Sequence, residues 1–266
     1  MTAAGDTDAG GGSAWDPATL RELRPGLVLV ESRVEDFDVR AVVVTGTAGA
    51  MVWDTLAHPW EMDGAARLVA GIPTQVVYSH ADWDHVWGTA ALGEVAEVVG
   101  HAACAARFVD EVPSELRERR KQAPDAWRAV RLVPPTRTFQ DRTSVKLGDV
   151  QVEIRHLPGH TADCCVAWIP AWGVLLAGDT VETPVPVVND AAAVPSWIAG
   201  LRRLLEIREV ATVVPSHGPV GGPELIAATA AYLQALSKGH SEAPGPGAAP
   251  FYHGTHRRNL GFFRES

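Results

Sequence analysis

The sequence predicts an α+β fold, a four-layer αββα sandwich with two β-sheets face to face and helices on both outer sides. Three observations point there. Short β-branched runs alternate with helical periods. The alternation occurs twice, in two halves of similar style. Five of the apolar runs end in His or Asp, the chemistry that loops held by rigid strands carry. The chain has 266 residues, 46% of them hydrophobic, which is enough to build one large domain with a substantial core.

The elements follow in order. "MTAAGDTDAGGGSAW" (1–15) is acidic and Gly-rich, with no basic or apolar leader region, and reads as a disordered tail. "GLVLVES" (26–32), "AVVVTG" (41–46) and "AMVWDT" (50–55) read as strands. "PWEMDGAARLVAG" (59–71) sets Met62, Ala66, Leu68 and Val69 on a helical period, with Gly71 as its stop. "TQVVYS" (74–79) is a strand, "VWGTAALG" (86–93) a short helix and "EVVGH" (97–101) a strand. Residues 102–130 read as mostly helix, broken by Pro113 and Pro124. In the second half "VQVEIRHL" (150–157), "CCVAWIP" (164–170), "GVLLAGD" (173–179) and "TVVPSH" (212–217) are strands. "PSWIAGLRRLLEI" (195–207) and "PELIAATAAYLQAL" (223–236) are helices. Residues 16–240 thus read as a single domain. "SEAPGPGAAP" (241–250) is a linker by composition, and 251–266 an aromatic tail able to pack back on the domain.

Composition excludes several function classes. The formal net charge is -9, and "RERRK" (117–121) is interleaved with acids, so a phosphate backbone is repelled. No apolar run approaches the ~20 residues of a membrane span. Three cysteines, Cys104 and the adjacent Cys164 and Cys165, make no disulfide framework and read as small buried side chains. The expected setting is cytoplasmic. The expected partner is a small-molecule substrate, with no nucleic acid and no membrane, and with room left for a homo-oligomer.

The polar residues at the strand ends are chemically coherent. Asp54 ends one strand; "HADWDH" (80–85) follows another; His160, Asp179 and His217 close three more. Imidazole nitrogen and carboxylate oxygen bind zinc, iron or manganese near ~2.0–2.2 Å. Alternate residues of an extended segment share a side, so His80 and Asp82 can share one ion, while Asp84 and His85 turn the other way. His160 and His217 complete two sets, and a carboxylate such as Asp179 can bridge them. Two ions about 3.5–4 Å apart can hold a bridging hydroxide and clamp both sides of a displacement. Trp83 and Trp87 flank the ligands, either walling a substrate pocket or packing beneath the loop. The Pro-rich "VETPVPVVNDAAAVP" (181–195) lies next to the site as a lid or a plain connection.

In their order, "VWDT", "HADWDH", "LPGHTADC", "LLAGDT" and "VPSHGP" resemble the motifs of the metallo-β-lactamase fold superfamily, over roughly residues 25–236. The resemblance implies that His80, Asp82 and His160 hold a first ion and that Asp84, His85 and His217 hold a second. It implies that Asp179 bridges them and that Asp54 bonds the ligand loop. Asp82 departs from the family's usual His. Flavodiiron proteins and some di-iron oxygenases carry an acid there, but no flavodoxin-like domain accompanies it here. Three carboxylates move the preference from zinc toward iron or manganese. The expected function is hydrolysis of an ester, thioester, lactone or amide bond of a small molecule by two divalent ions, with Asp84 orienting the nucleophile or taking its proton. The alternative is a di-iron redox enzyme on the same fold.

Overall fold

A computed structural model describes residues 18–34 and 36–264; the N-terminal tail expected over 1–15 lies outside them. Seven strands form the first sheet: β1 (Thr19–Arg24), β2 (Leu27–Val34), β3 (Phe37–Gly46), β4 (Gly49–Trp53), β5 (Thr74–Val77), β6 (Glu97–His101) and β7 (Arg137–Phe139), in sequence order. β1 to β4 pair antiparallel, and β4 to β7 pair parallel. The second sheet holds β8 (Arg142–Lys146), β9 (Gln151–His156), β10 (Cys165–Ile169), β11 (Val174–Gly178) and β12 (Thr212–Pro215), in reverse order, with β11 and β12 parallel.

The period of two explains the layers. Val42 and Val44 of β3, with Met51 and Trp53 of β4, face the second sheet and pack on Val152, Ile154, Ala167 and Leu176. Their alternates Ala41, Val43, Ala50 and Val52 face outward. That outer face is covered by α1 (Asp63–Val69), α2 (Trp83–Val86), α3 (Ala102–Arg107) and α4 (Glu111–Gln122) through Ala65, Val86, Cys104 and Leu116. The second sheet's outer face packs Val166, Trp168 and Leu175 against α5 (Val194–Leu205) and α6 (Glu224–Leu236). Strands apolar on both faces are what a sheet covered on both sides requires. The sandwich expected from the alternation is the one observed. Among the described residues no helix is long and apolar enough to cross a membrane.

Several details differ from the sequence reading. The first helix opens as a 3-10 turn at Pro59–Met62 before α1. Pro113 does not break the helical stretch at 102–130. It is the third residue of α4, where the backbone N–H has no intrahelical partner to lose. The aromatic tail, for which the sequence reading gave no element, forms a helix, α7 (Pro250–Arg264). It is pinned by Phe251 N–H to an Asp36 carboxylate oxygen at 2.7 Å, and by the fully buried Asn259. The edge strands β1, β7 and β8 lie in segments that carry no apolar alternation.

Candidate metal centre

The functional side chains gather where strand ends of both sheets meet. Asp54 follows β4 and the ligand loop 80–85 follows β5. His160 lies between β9 and β10; Asp179 follows β11 and His217 follows β12. Two glycines allow the approach. Gly178 has φ +53, and a Cβ on it would stand 2.9 Å from the Ser79 Cβ. Gly159 lies on the Trp197 ring, where a Cβ would come within 2.2 Å. Trp197 is fully buried on α5 and donates its Nε1–H to Thr180 O at 2.9 Å, so one side chain backs both the His160 and Asp179 loops.

All seven residues expected as ligands are brought together. Three sets have candidate ligand atoms within 4.8 Å of one another: His80 with Asp82 and His160, Asp84 with His85 and His217, and His80 with His85 and Asp179. The first two match the two groupings that the resemblance implies, and Asp179 stands between them. Its Oδ2 lies 3.8 Å from His80 Nε2, 3.6 Å from His160 Nε2 and 3.2 Å from His217 Nε2, and its Oδ1 lies 3.4 Å from His85 Nε2.

Every imidazole is anchored through its other nitrogen. His85 Nδ1 bonds Asp54 Oδ2 at 3.0 Å and His80 Nδ1 bonds Ser79 Oγ at 2.9 Å. His160 Nδ1 bonds Val187 O at 3.0 Å and His217 Nδ1 bonds Asp38 O at 2.5 Å. With Nδ1–H donating to these acceptors, each Nε2 lone pair is turned to the centre. Among the described residues His80 Nε2, His85 Nε2 and Asp179 Oδ1 are buried without a hydrogen-bond partner. Buried polar atoms normally have partners, and a nitrogen and oxygen donor set of this kind fits divalent cations.

The centre opens into a cleft of about 920 Å³. Trp83 lines it, whereas Trp87 is fully buried beneath the loop, so the two tryptophans divide the roles. Arg119 stacks its guanidinium 3.8 Å over the Trp83 ring and pairs with Glu115 at 3.0 Å. The segment 181–195 contributes a wall through Val187 and Asn189, and α7 contributes Phe251 and Arg258. Asn259 fastens these two pieces. Its side-chain oxygen accepts from Val188 N–H at 3.2 Å, and its amide donates to Pro186 O at 2.7 Å. The carbonyl orienting His160 is therefore held from the C-terminal helix. Sequence reading missed Asn259, Ser79, Arg107 and Asp163. Only Asp163, inside "GHTADC", carried a local hint. His58 lies buried between the Trp60 and Trp127 rings, away from the ligand set.

Charge explains how the cluster holds itself in protein stripped of metal. Burial alone would lower the pKa values of His85, His160 and His217, but carboxylates outweigh it. The Asp179 charge pushes His217 up to about 10. The Asp82 hydrogen bond and the Asp179 charge push His160 up to about 9. His85 is raised well above its ordinary value by Asp179 and Asp84, against its own burial. Burial opposes ionisation of Asp179, yet His217 and His85 hold it well below the usual carboxylate range. Folded values above the ordinary ~6.5 mean that these pairs stabilise fully below that pH and lose their effect as pH rises through about 9 to 10. Chelator-stripped protein is therefore expected to lose thermal midpoint progressively from roughly pH 6.5 to 10, while the metal-loaded form keeps it, because metal binding replaces those protons. Paired melts across pH 6–10 check this; parallel profiles would refute it.

Comparisons with known proteins identify the family and the fold. The family model of the metallo-β-lactamase superfamily matches residues 34–217. Acyl-coenzyme A thioesterase MBLAC2 of Gallus gallus is 29% identical over 167 residues, covering 57% of this chain and 59% of its own length. Metallo-β-lactamase type 2 of Bacillus sp. (strain 170) is 28% identical over 159 residues, covering 58% and 54%. The chain thus spans between half and two thirds of these relatives. Among solved structures, a metallo-β-lactamase from Pontibacter korlensis superposes with a TM-score of 0.64 at 22% identity, over 82% of this chain and 99% of that one. The alkylsulfatase Pisa1 from Pseudomonas sp. reaches 0.66 at 18% identity, over 83% of this chain and 42% of that one. With the family model spanning more than half of its length, the chain belongs to the metallo-β-lactamase superfamily.

Proposed function

We propose that this chain is a metal-dependent hydrolase that binds two divalent ions and cleaves an ester, thioester, lactone or amide bond of a small molecule. The observation carrying the reading is the set of buried orphan atoms, His80 Nε2, His85 Nε2 and Asp179 Oδ1, at the centre of four imidazoles each fixed through Nδ1. His80, Asp82 and His160 would hold one ion, Asp84, His85 and His217 the other, with Asp179 shared. Bound ions supply Lewis acidity and make water a nucleophile near neutral pH.

The chain's own residues do the rest. Asp84 lines the cleft with its Oδ2 3.5 Å from His217 Nε2, placed to orient a nucleophile or to accept its proton. Trp83, Phe37 and Phe251 give the cleft apolar walls that exclude water from a bound acyl group. The relatives named as a thioesterase and a β-lactamase act on carbonyl carbons, which favours this class of bond.

The test is a panel of chromogenic esters, thioesters, lactones and β-lactams, assayed before and after chelation, with elemental analysis of the same samples. Turnover that a chelator removes and a divalent ion restores supports the reading. A fully loaded protein that cleaves none of the panel counts against it. The redox alternative is favoured by one observation, the Asp82 Oδ2 set 3.1 Å from His160 Nε2 and 3.5 Å from His80 Nε2, since a hard oxygen there suits iron or manganese. Iron at both positions together with dioxygen consumption would move the assignment to that chemistry.

A further inference from the structure

The second oxygen of Asp82 has an occupation of its own. Arg107, the last residue of α3, sets Nη2 2.6 Å from Asp82 Oδ1. The same guanidinium places Nη1 3.0 Å from Asp163 Oδ1 and Nη2 2.5 Å from Glu111 Oε1. Asp163 is fully buried, and its other oxygen accepts Ala81 N–H at 2.9 Å. One cation thus ties the side chain of Asp82, the backbone of Ala81 beside it and the loop that carries His160. Glu111 is largely exposed at 58%, so water screens its share of the charge, whereas Asp163 and Asp82 hold the fork in place.

We infer that Arg107 is the positioning residue that lets an aspartate serve where this family's motif usually has an imidazole. The inference rests on the two-ion reading above. An imidazole is neutral and has a single nitrogen turned to the metal once Nδ1 is bonded. A carboxylate brings a full negative charge and two equivalent oxygens, free to rotate or to chelate. Arg107 answers both differences. Its Nη2 captures Oδ1, which leaves Oδ2 alone facing His80 and His160. Its positive charge stands against the one that Asp82 adds. The preference for iron or manganese expected from three carboxylates then depends on the hard oxygen itself more than on added negative charge.

The competing account is that Arg107 only staples α3 to the ligand loop. A double-mutant cycle read by metal affinity, from competition with a chromophoric zinc chelator, separates the two. Arg107→Met is expected to weaken zinc binding about 10- to 100-fold, the usual effect of losing a partner that orients a ligand. With Asp82→His in place the same Arg107→Met change should cost less than about 3-fold, or should tighten binding, because no carboxylate then needs holding. Arg107→Lys keeps the charge without the fork and should recover part of the loss. If Arg107→Met does not fold, Arg107→Lys read in both backgrounds carries the same comparison. Wild-type affinity in Arg107→Met, or equal losses in both backgrounds, would overturn the inference. Because the readout is metal affinity, a failure of the hydrolysis panel leaves this comparison intact, and the converse also holds.

Discussion

His217→Ala is expected to abolish turnover, with kcat/KM falling on the order of 10³-fold or more, the scale of removing a group that stabilises charge at a reacting centre. The ring sits just past the C-terminal end of β12, with Nδ1 held by Asp38 O at 2.5 Å and its edge against Phe37 at a centroid distance of 5.3 Å. Its Nε2 faces Asp179 Oδ2 at 3.2 Å and Asp84 Oδ2 at 3.5 Å. Alanine removes one corner of the set formed with Asp84 and His85. Metal content should fall from two ions toward one per chain, with the set around His80 and His160 retained. The check is elemental analysis beside steady-state kinetics on whichever substrate the panel yields. Full activity with one ion retained would show that the second ion is dispensable.

The candidate ligand set was legible in the sequence because each member follows an apolar run, and such runs declare themselves. Residues 41–44 of β3 and 50–53 of β4 are unbroken Val, Ala, Met and Trp, buried on both faces, so the ends of these strands could be placed within a few residues. "HADWDH" is local, and its division into two sets follows from extended geometry passing into the short helix α2. Arg107 was not legible for the opposite reason. Its partners Asp82 and Asp163 lie 25 and 56 residues away, and a single arginine at a helix end reads as a solvated side chain. The same holds for α7. Gly254 and Gly261 depress its helical propensity, and what holds it is distant, with Asp36 215 residues from Phe251 and Val188 71 residues from Asn259. β1 and β8, "TLRELR" and "RTSVK", are charged edge strands with no apolar face to announce them.

Asp54→Ala is expected to cost more stability than any other single change at this centre. Asp54 is completely buried and sits at φ 58, in the left-handed region that Asp and Asn tolerate and that alanine enters at about 1–2 kcal/mol. Its Oδ1 accepts Ser79 N–H at 2.7 Å, and its Oδ2 accepts both Ser79 Oγ–H at 2.7 Å and His85 Nδ1–H at 3.0 Å. Ser79 Oγ in turn accepts from His80 Nδ1 at 2.9 Å. One carboxylate therefore orients two of the four imidazoles, His85 directly and His80 through a hydroxyl. Alanine strands three buried donors, each at about 1–3 kcal/mol. Together with the backbone term, the loss should exceed about 4 kcal/mol, a large part of an ordinary ~5–15 kcal/mol stability. Denaturant melts of chelator-stripped protein measure it. Asp54→Asn separates orientation from folding. Its amide suits the same backbone and its oxygen can still accept Ser79 N–H, but its NH₂ would face the Ser79 hydroxyl and His85 Nδ1–H. His85 would have to move its proton to Nε2, the nitrogen that should bind metal. Asp54→Asn should therefore fold and yet bind zinc about 10- to 100-fold more weakly. Wild-type zinc affinity in Asp54→Asn would reduce Asp54 to a turn residue and leave the orientation of His80 and His85 to the rest of the loop.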